Sequence, residues 1–180
     1  MKKKVIIHLL VLFASVLLTF GWVSTPVLAK YSLQLTAFLV ITLIITRHLL
    51  KLPSFRLAES TISTISVLLL VNATDGLSSP LFFLNYFLLF ELSLLLEPLI
   101  PLVLSLLLVL FYFFSFEDKP LYFLMELIAF PFMTPLAFLF GKIYRKEENQ
   151  KKEIKNLTHK IEELKEELTT EEIDQQLKMK

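Results

Sequence analysis

Three polar side chains, Asn85, Glu91 and Glu126, interrupt otherwise apolar stretches, and they are where chemistry would be sought first. An acid among apolar residues is costly in lipid, so it marks either a transport path or a contact inside a bundle. Two glutamates could also share a proton. Their positions speak against that: Glu91 lies about ten residues into its stretch and Glu126 about five into its own, roughly 7–8 Å apart in depth when both helices run the same way. The expected role is structural, with Glu91 protonated or bonded to hydroxyls of the third helix, and Glu126 reaching the outer interface. No cysteine is present, and His8, His48 and His159 fall in three separate segments. That leaves no thiolate nucleophile and no metal-ligand spacing. The three glycines form no phosphate-binding loop. No catalytic residue, metal, cofactor or nucleic-acid partner is expected, and the chain does not read as an enzyme.

The elements that would position these residues are apolar blocks. Hydrophobic residues make up 55% of the 180, and mean hydropathy is +0.66. Residues 142–180 hold ten of the eighteen Lys and Arg and ten of the seventeen Asp and Glu, so the remainder is far more apolar than the average. Such a composition excludes an ordinary soluble domain. The expected fold is all-α: a polytopic membrane helix bundle over 1–141, then a cytoplasmic charged helix over 142–180. About six transmembrane helices are predicted, at 5–23, 31–50, 57–71, 81–96, 99–116 and 121–140. The first, behind Lys2, Lys3 and Lys4, also fits a cleavable signal ending at Val27-Leu28-Ala29, but its ~19 residues suffice to span a bilayer. Pro53, the run Asn72–Pro80, the segment Glu97–Pro101 and the segment Glu117–Pro120 mark the turns. Pro131 and Pro135 should kink the last span and free backbone carbonyls. Several spans of ~15–18 residues cover only about 23–27 Å, a mismatch absorbed by tilt or local thinning.

Basic residues orient the bundle. With the N-terminus inside, Lys2–Lys4, Arg47, Lys51, Arg56, Lys142, Arg145 and Lys146 are cytoplasmic, and Lys30 and Lys119 lie outside. This follows the positive-inside rule. The outer halves of three spans are then aromatic: Phe82, Phe83, Tyr86 and Phe87; Phe111, Tyr112, Phe113, Phe114 and Phe116; Tyr122 and Phe123. One reading is an interfacial belt with lipid-facing filler, although belts favour Trp and Tyr. The other is a small cavity for an apolar ligand, such as a quinone or a lipid tail.

In the tail, Ile154, Leu157, Ile161, Leu164 and Leu168 alternate three and four apart, an a/d seam of about two heptads. A parallel homodimer would set Lys160 against Lys165 and Glu167 against Glu172, like charges on both flanks. Thr169-Thr170-Glu171-Glu172 reads as a capping box that would begin a second short helix. A solvated helix, a homo-oligomer through the seam and a cytoplasmic signalling partner all remain open.

The run NATDGLSSPLFFLNYFLLF, Asn72 to Phe90, resembles the membrane sensor region of bacterial sensor histidine kinases, in which a TGGL-S-P turn precedes an aromatic transmembrane helix. Asp75 stands where that pattern carries glycine. No phosphoacceptor-histidine box or ATP-binding motif follows, and His159 sits in Asn156–Ile161 outside the family's histidine context, so kinase activity does not carry over. The resemblance implies a non-enzymatic, sensor-like or adaptor protein of the bacterial cytoplasmic membrane, contacting lipids, with both termini cytoplasmic. A small-solute binding or transport subunit is the competing expectation, with Asn85, Glu91 and Glu126 as its ligands.

Overall fold

The computed structural model describes residues 2–50, 56–97, 99–115 and 121–178, and the chain divides into two units, 1–142 and 143–180. Regular structure among the described residues is entirely helical: α1 (Lys2–Ser24), α2 (Pro26–Ala29), α3 (Ser32–Leu50), α4 (Arg56–Ala73), a 3₁₀ turn (Gly76–Ser78), α5 (Leu84–Leu95), α6 (Ile100–Ser115) and α7 (Leu121–Lys178). Two of them, α1 and α7, are long and apolar enough to cross a membrane; Ser32–Thr46, Leu84–Leu95 and Ile100–Phe114 are shorter apolar helices.

Local chemistry sets the ends. Thr25 returns its hydroxyl to the Gly21 carbonyl (2.9 Å) as α1 stops. Pro26, which has no N–H to leave unpaired, then opens α2. Helix α4 runs two residues beyond Val71 because Asn72 and Thr74 bond back to the carbonyls of Leu68 (2.8 Å) and Leu70 (2.9 Å). Helix α5 starts at Leu84 rather than Leu81. The residues before it form successive three-residue turns, Phe82 N–H to Ser79 O (3.0 Å) and Leu84 N–H to Leu81 O (3.0 Å). The turn at 51–55, Pro98 and the turn at 116–120 lie outside the described residues.

Helix α7 is assigned without interruption past Pro131 and Pro135. One expectation for it is corrected: it continues through 169–172 to Lys178, so no second helix begins at the capping-box sequence. With neither Gly nor Pro between Lys142 and Lys178, nothing stops the first helix, and the threonines are simply incorporated.

In the first unit α1 packs on α4, α4 on α5, α5 on α6 and α6 back on α1, while α3 packs on α4. The short connection from Leu96 to Ile100 makes α5 and α6 antiparallel, and Ile100 N–H bonds Glu97 O (2.9 Å) across it. Leu12, Leu68, Leu88, Leu92, Leu104 and Leu108 fill the centre. The polarity is inverted relative to a soluble protein. Ser15, Thr19, Ser60, Thr64, Asn85 and Ser93 are buried, whereas Leu10, Phe38, Phe87, Phe114 and Phe132 face outward, Phe132 at 74% exposure. Most of the buried hydroxyls satisfy themselves on their own helix, as in Thr19 to Ser15 O (2.8 Å) and Thr64 to Ser60 O (2.7 Å). They therefore permit close helix packing without leaving an unpaired donor.

The second unit is a single charged helix. Glu147–Lys151 (2.7 Å) and Glu148–Lys152 (2.8 Å) are i,i+4 pairs in the favourable Glu-to-Lys order. The Glu147 carboxylate, bonded to it, holds the Lys151 ammonium above its ordinary range.

Candidate functional site

Polar contacts between helices converge on α5. Ser63 of α4 donates its hydroxyl to Glu91 Oε1 (2.9 Å), with both side chains half-buried. Asn85, fully buried, donates Nδ2–H to Phe82 O (3.1 Å) and to Tyr112 Oη of α6 (3.0 Å). The Tyr112 hydroxyl in turn lies 3.2 Å from Asn85 Oδ1. Ser93 donates to Ala137 O of α7. Helix α5 is thus fastened to α4, α6 and α7 on different sides, through Glu91, Asn85 and Ser93. Each contact pairs polar groups in an apolar interior, where an unmade hydrogen bond is costly.

The α5–α7 contact is close because Gly141 faces Ser93. A Cβ there would lie 2.7 Å from Ser93 O and closer still to Oγ. Leu127, Phe130, Thr134, Ala137 and Gly141, spaced alternately three and four, are all buried along this stripe. Phe130 had no signal among the other phenylalanines, yet it lies within 5.5 Å of Phe82, 5.2 Å of Tyr86 and 6.3 Å of Tyr112, stacked on the last.

The same contacts set the register of α5 and α7. Ser93 bonds Ala137 and Tyr86 meets Phe130, the same 44-residue offset each time, so the two helices run in the same sense. Glu91 is then level with Pro135, nine residues from Glu126, roughly 13–14 Å along the axis. The carboxylates are further apart than depth arithmetic alone indicates, and the structure does not bring them together. Glu126 is half-buried, with Oε2 shielded and bonded by no described group.

The aromatics of α5 and α6 divide between the core and the outward-facing side. Phe82, Phe111 and Tyr112 are packed in the core, with Tyr112 and Phe111 edge-to-face at 5.2 Å and Phe111 against Phe20 at 5.9 Å. Tyr86 is half-buried, whereas Phe83, Phe87, Phe113 and Phe114 project outward. The side chains of Tyr122 and Phe123 lie outside the described residues. Successive residues on a helix are 100° apart, so a run of aromatics must face both ways. Two open grooves accompany this arrangement. One of about 210 Å³ lies between α1 and α6, lined by Phe13, Phe20, Leu107, Phe111 and Phe114. Another of about 420 Å³ lies between α6 and α7, lined by Leu102, Leu106, Pro131, Thr134 and Phe138.

The connection from α4 to α5 is internally bonded. Asp75 (φ 77°) and Gly76 (φ 59°) are left-handed. Thr74 and Ser79 join their hydroxyls (2.6 Å), and Ser79 Oγ accepts the Leu81 N–H (3.0 Å). This reversal drives Leu77 into the core at 3% exposure. In the second unit, the seam residues Ile154, Leu157, Ile161, Leu164 and Leu168 are all exposed, between 54% and 63%. No group of three or more His, Asp or Glu among the described residues could hold a metal.

No protein family matches the sequence, and no curated protein or solved structure is similar to it.

Proposed function

We propose that residues 1–141 cross a bacterial cytoplasmic membrane six times as a non-enzymatic, sensor-like adaptor, and that residues 142–180 carry the state of this bundle to a partner in the cytoplasm. The observation behind the reading is the inverted polarity of the first unit, with hydroxyls and an amide inside and phenylalanine and leucine outside. A bundle whose solvent is hydrocarbon has this pattern, because hydrophobicity gives its helices no reason to associate and small polar residues supply the contact. The seam on the charged helix supports the second half. Five aliphatic residues at coiled-coil spacing are exposed, which suits a surface that meets another helix. Helices α5 and α6, at 12 and 16 residues, are short for a ~30 Å hydrocarbon core, so tilt and local thinning belong to the reading.

The test has two parts. Reporter fusions at residue 180 and within 74–80 should fall on the cytoplasmic and outer sides respectively. A full-length tagged chain should retain a cytoplasmic protein that the 1–149 truncation loses. Silence of that truncation in every interaction assay sinks the adaptor.

A solute-binding subunit is the second reading, favoured by one observation: the shielded Glu126 Oε2 bonds no described group. Solute uptake that requires Glu126 or Glu91, and fails in the Gln variants, would displace the first reading.

A further inference from the structure

The groove between α6 and α7 has Pro131, Thr134, Pro135 and Phe138 along one wall and Leu102 and Leu106 along the other, with a volume of about 420 Å³. That falls within the ~300–1,000 Å³ usual for small-molecule sites, whereas the α1–α6 groove of about 210 Å³ falls below it. Proline and threonine are short, so α7 leaves open a space that longer side chains would close. Leu102 and Leu106 are 45% and 55% exposed, so the groove opens on the outside of the bundle rather than into its core. Its two hydroxyls are already spent. Ser105 donates to Leu102 O (2.9 Å) and Thr134 to Phe130 O (2.7 Å), so no lining side chain keeps a donor for a polar ligand. The space suits an apolar chain.

A cation stands at one end of it. Residues 131, 135, 138 and 142 are spaced four, three and four, which is one face of an uninterrupted helix. From Pro131 to Lys142 that face rises roughly 16–17 Å, close to half of a ~30 Å hydrocarbon core. In the six-span reading this half is the inner leaflet, and Lys142 sits where headgroups begin. Lys142 is exposed, and Arg145 and Lys146 follow it before the next acid, Glu147. Glu97 of the α5–α6 connection opposes them, level with Gly141 by the offset of α5 and α7. Three cations outweigh it.

We propose that this groove holds an acyl chain of an anionic phospholipid of the inner leaflet, with its headgroup on Lys142. The idea rests on the membrane reading of the first unit. Apolar walls alone select nothing, because bulk lipid offers the same surroundings. Discrimination comes from the charge, and one basic side chain near the anionic surface gives roughly a fivefold preference.

Brominated lipids quench tryptophan on contact, which reads occupancy directly. Trp22, the single tryptophan, is replaced by phenylalanine, and Phe138→Trp reports on the groove in the full chain. Phe132→Trp is the control, since this position is 74% exposed and about 100° around the helix from Pro131. Each protein is reconstituted in phosphatidylcholine vesicles, with brominated phosphatidylglycerol or brominated phosphatidylcholine substituted in steps. At position 138, half-quenching should need about one sixth of the lipid as phosphatidylglycerol, against about one half as phosphatidylcholine. At 132 the two lipids should be equal. Lys142→Gln should abolish the difference at 138, and so should 1 M salt, where the screening length falls to ~3 Å. Pro135→Phe, which fills the groove and keeps Lys142, should abolish it too. Quenching at 132 without a preference at 138 overturns the lipid site and leaves the membrane bundle standing. A preference that survives Lys142→Gln or Pro135→Phe also overturns it. No quenching at 132 by either lipid removes the membrane reading, and the site with it.

Discussion

Replacing Gly141 with alanine tests the α5–α7 contact at its tightest point. The new Cβ would meet Ser93 O at 2.7 Å and Ser93 C at 3.2 Å, where ordinary contact begins at 3.4 Å. Relieving the first alone requires the two backbones to part by about 0.7 Å, and Ser93 Oγ lies closer again. Overpacking of this kind costs about 1–3 kcal/mol. The movement also stretches the Ser93–Ala137 bond, and interhelical polar contacts in membranes average about 0.6 kcal/mol. Against this, Gly→Ala within a helix returns about 0.5–1 kcal/mol. The net expectation is a loss of about 1–2 kcal/mol. Gly21→Ala is the matched control, since nothing lies within 4 Å of a Cβ there and only the propensity gain remains. Unfolding in mixed micelles, followed by far-UV circular dichroism and by the single tryptophan, Trp22, would compare them. The two variants should separate by about 2–3 kcal/mol in opposite directions from wild type. If Gly141→Ala proves as stable as Gly21→Ala, the close approach of α5 and α7 is wrong.

Three further outcomes follow from the same contacts. Tyr112→Phe should cost about 1–3 kcal/mol by leaving the buried Asn85 amide short of a partner, and the Asn85→Leu/Tyr112→Phe double variant should recover part of it; strict additivity in a double-mutant cycle would contradict the pairing. Asp75→Gly should be neutral or stabilise by up to about 1 kcal/mol, and Asp75→Val should cost about 1–2 kcal/mol, because φ 77° suits glycine and penalises a branched side chain; equal melting temperatures for the two would contradict the left-handed turn. Glu91→Gln should leave stability within about 0.5 kcal/mol, since an amide oxygen still accepts the Ser63 hydroxyl; a large loss would mean that charge, not this bond, holds the site.

The positions of the helices could be read from the residues; their faces could not. Proline and the Asn72–Pro80 cluster punctuate the apolar blocks, and the helix ends fall within about three residues of those marks, the usual uncertainty of helix ends. Departures arose where side chains bond back to the main chain, at Asn72 and Thr74, or where a terminator was inferred from polar residues alone, at Thr169. Helices apolar all round carry no amphipathic signal to say which side is buried. The aromatic runs therefore looked like one cluster, whereas Phe111 and Tyr112 point inward and Phe113 and Phe114 outward. Phe130 was invisible because only its position on the stripe with Thr134, Ala137 and Gly141 distinguishes it from Phe132. That spacing of small residues was the available signal. Glu91 was more legible, because a carboxylate in an apolar helix needs a donor and α4 carries the hydroxyls to supply one.

A membrane bundle requires that hydrocarbon be what Phe38, Phe87, Phe114 and Phe132 contact. Single cysteines at these four positions and at Ile154 and Leu157, reacted in intact membranes with a water-soluble maleimide, address it directly. All six side chains are more than half exposed, so reactivity reports the surrounding solvent rather than burial in the chain. The first four should stay unlabelled until detergent is added, and the last two should label at once once the cytoplasmic face is opened. Equal labelling of both groups before detergent would show that water bathes the whole surface, and the membrane bundle would have to be abandoned.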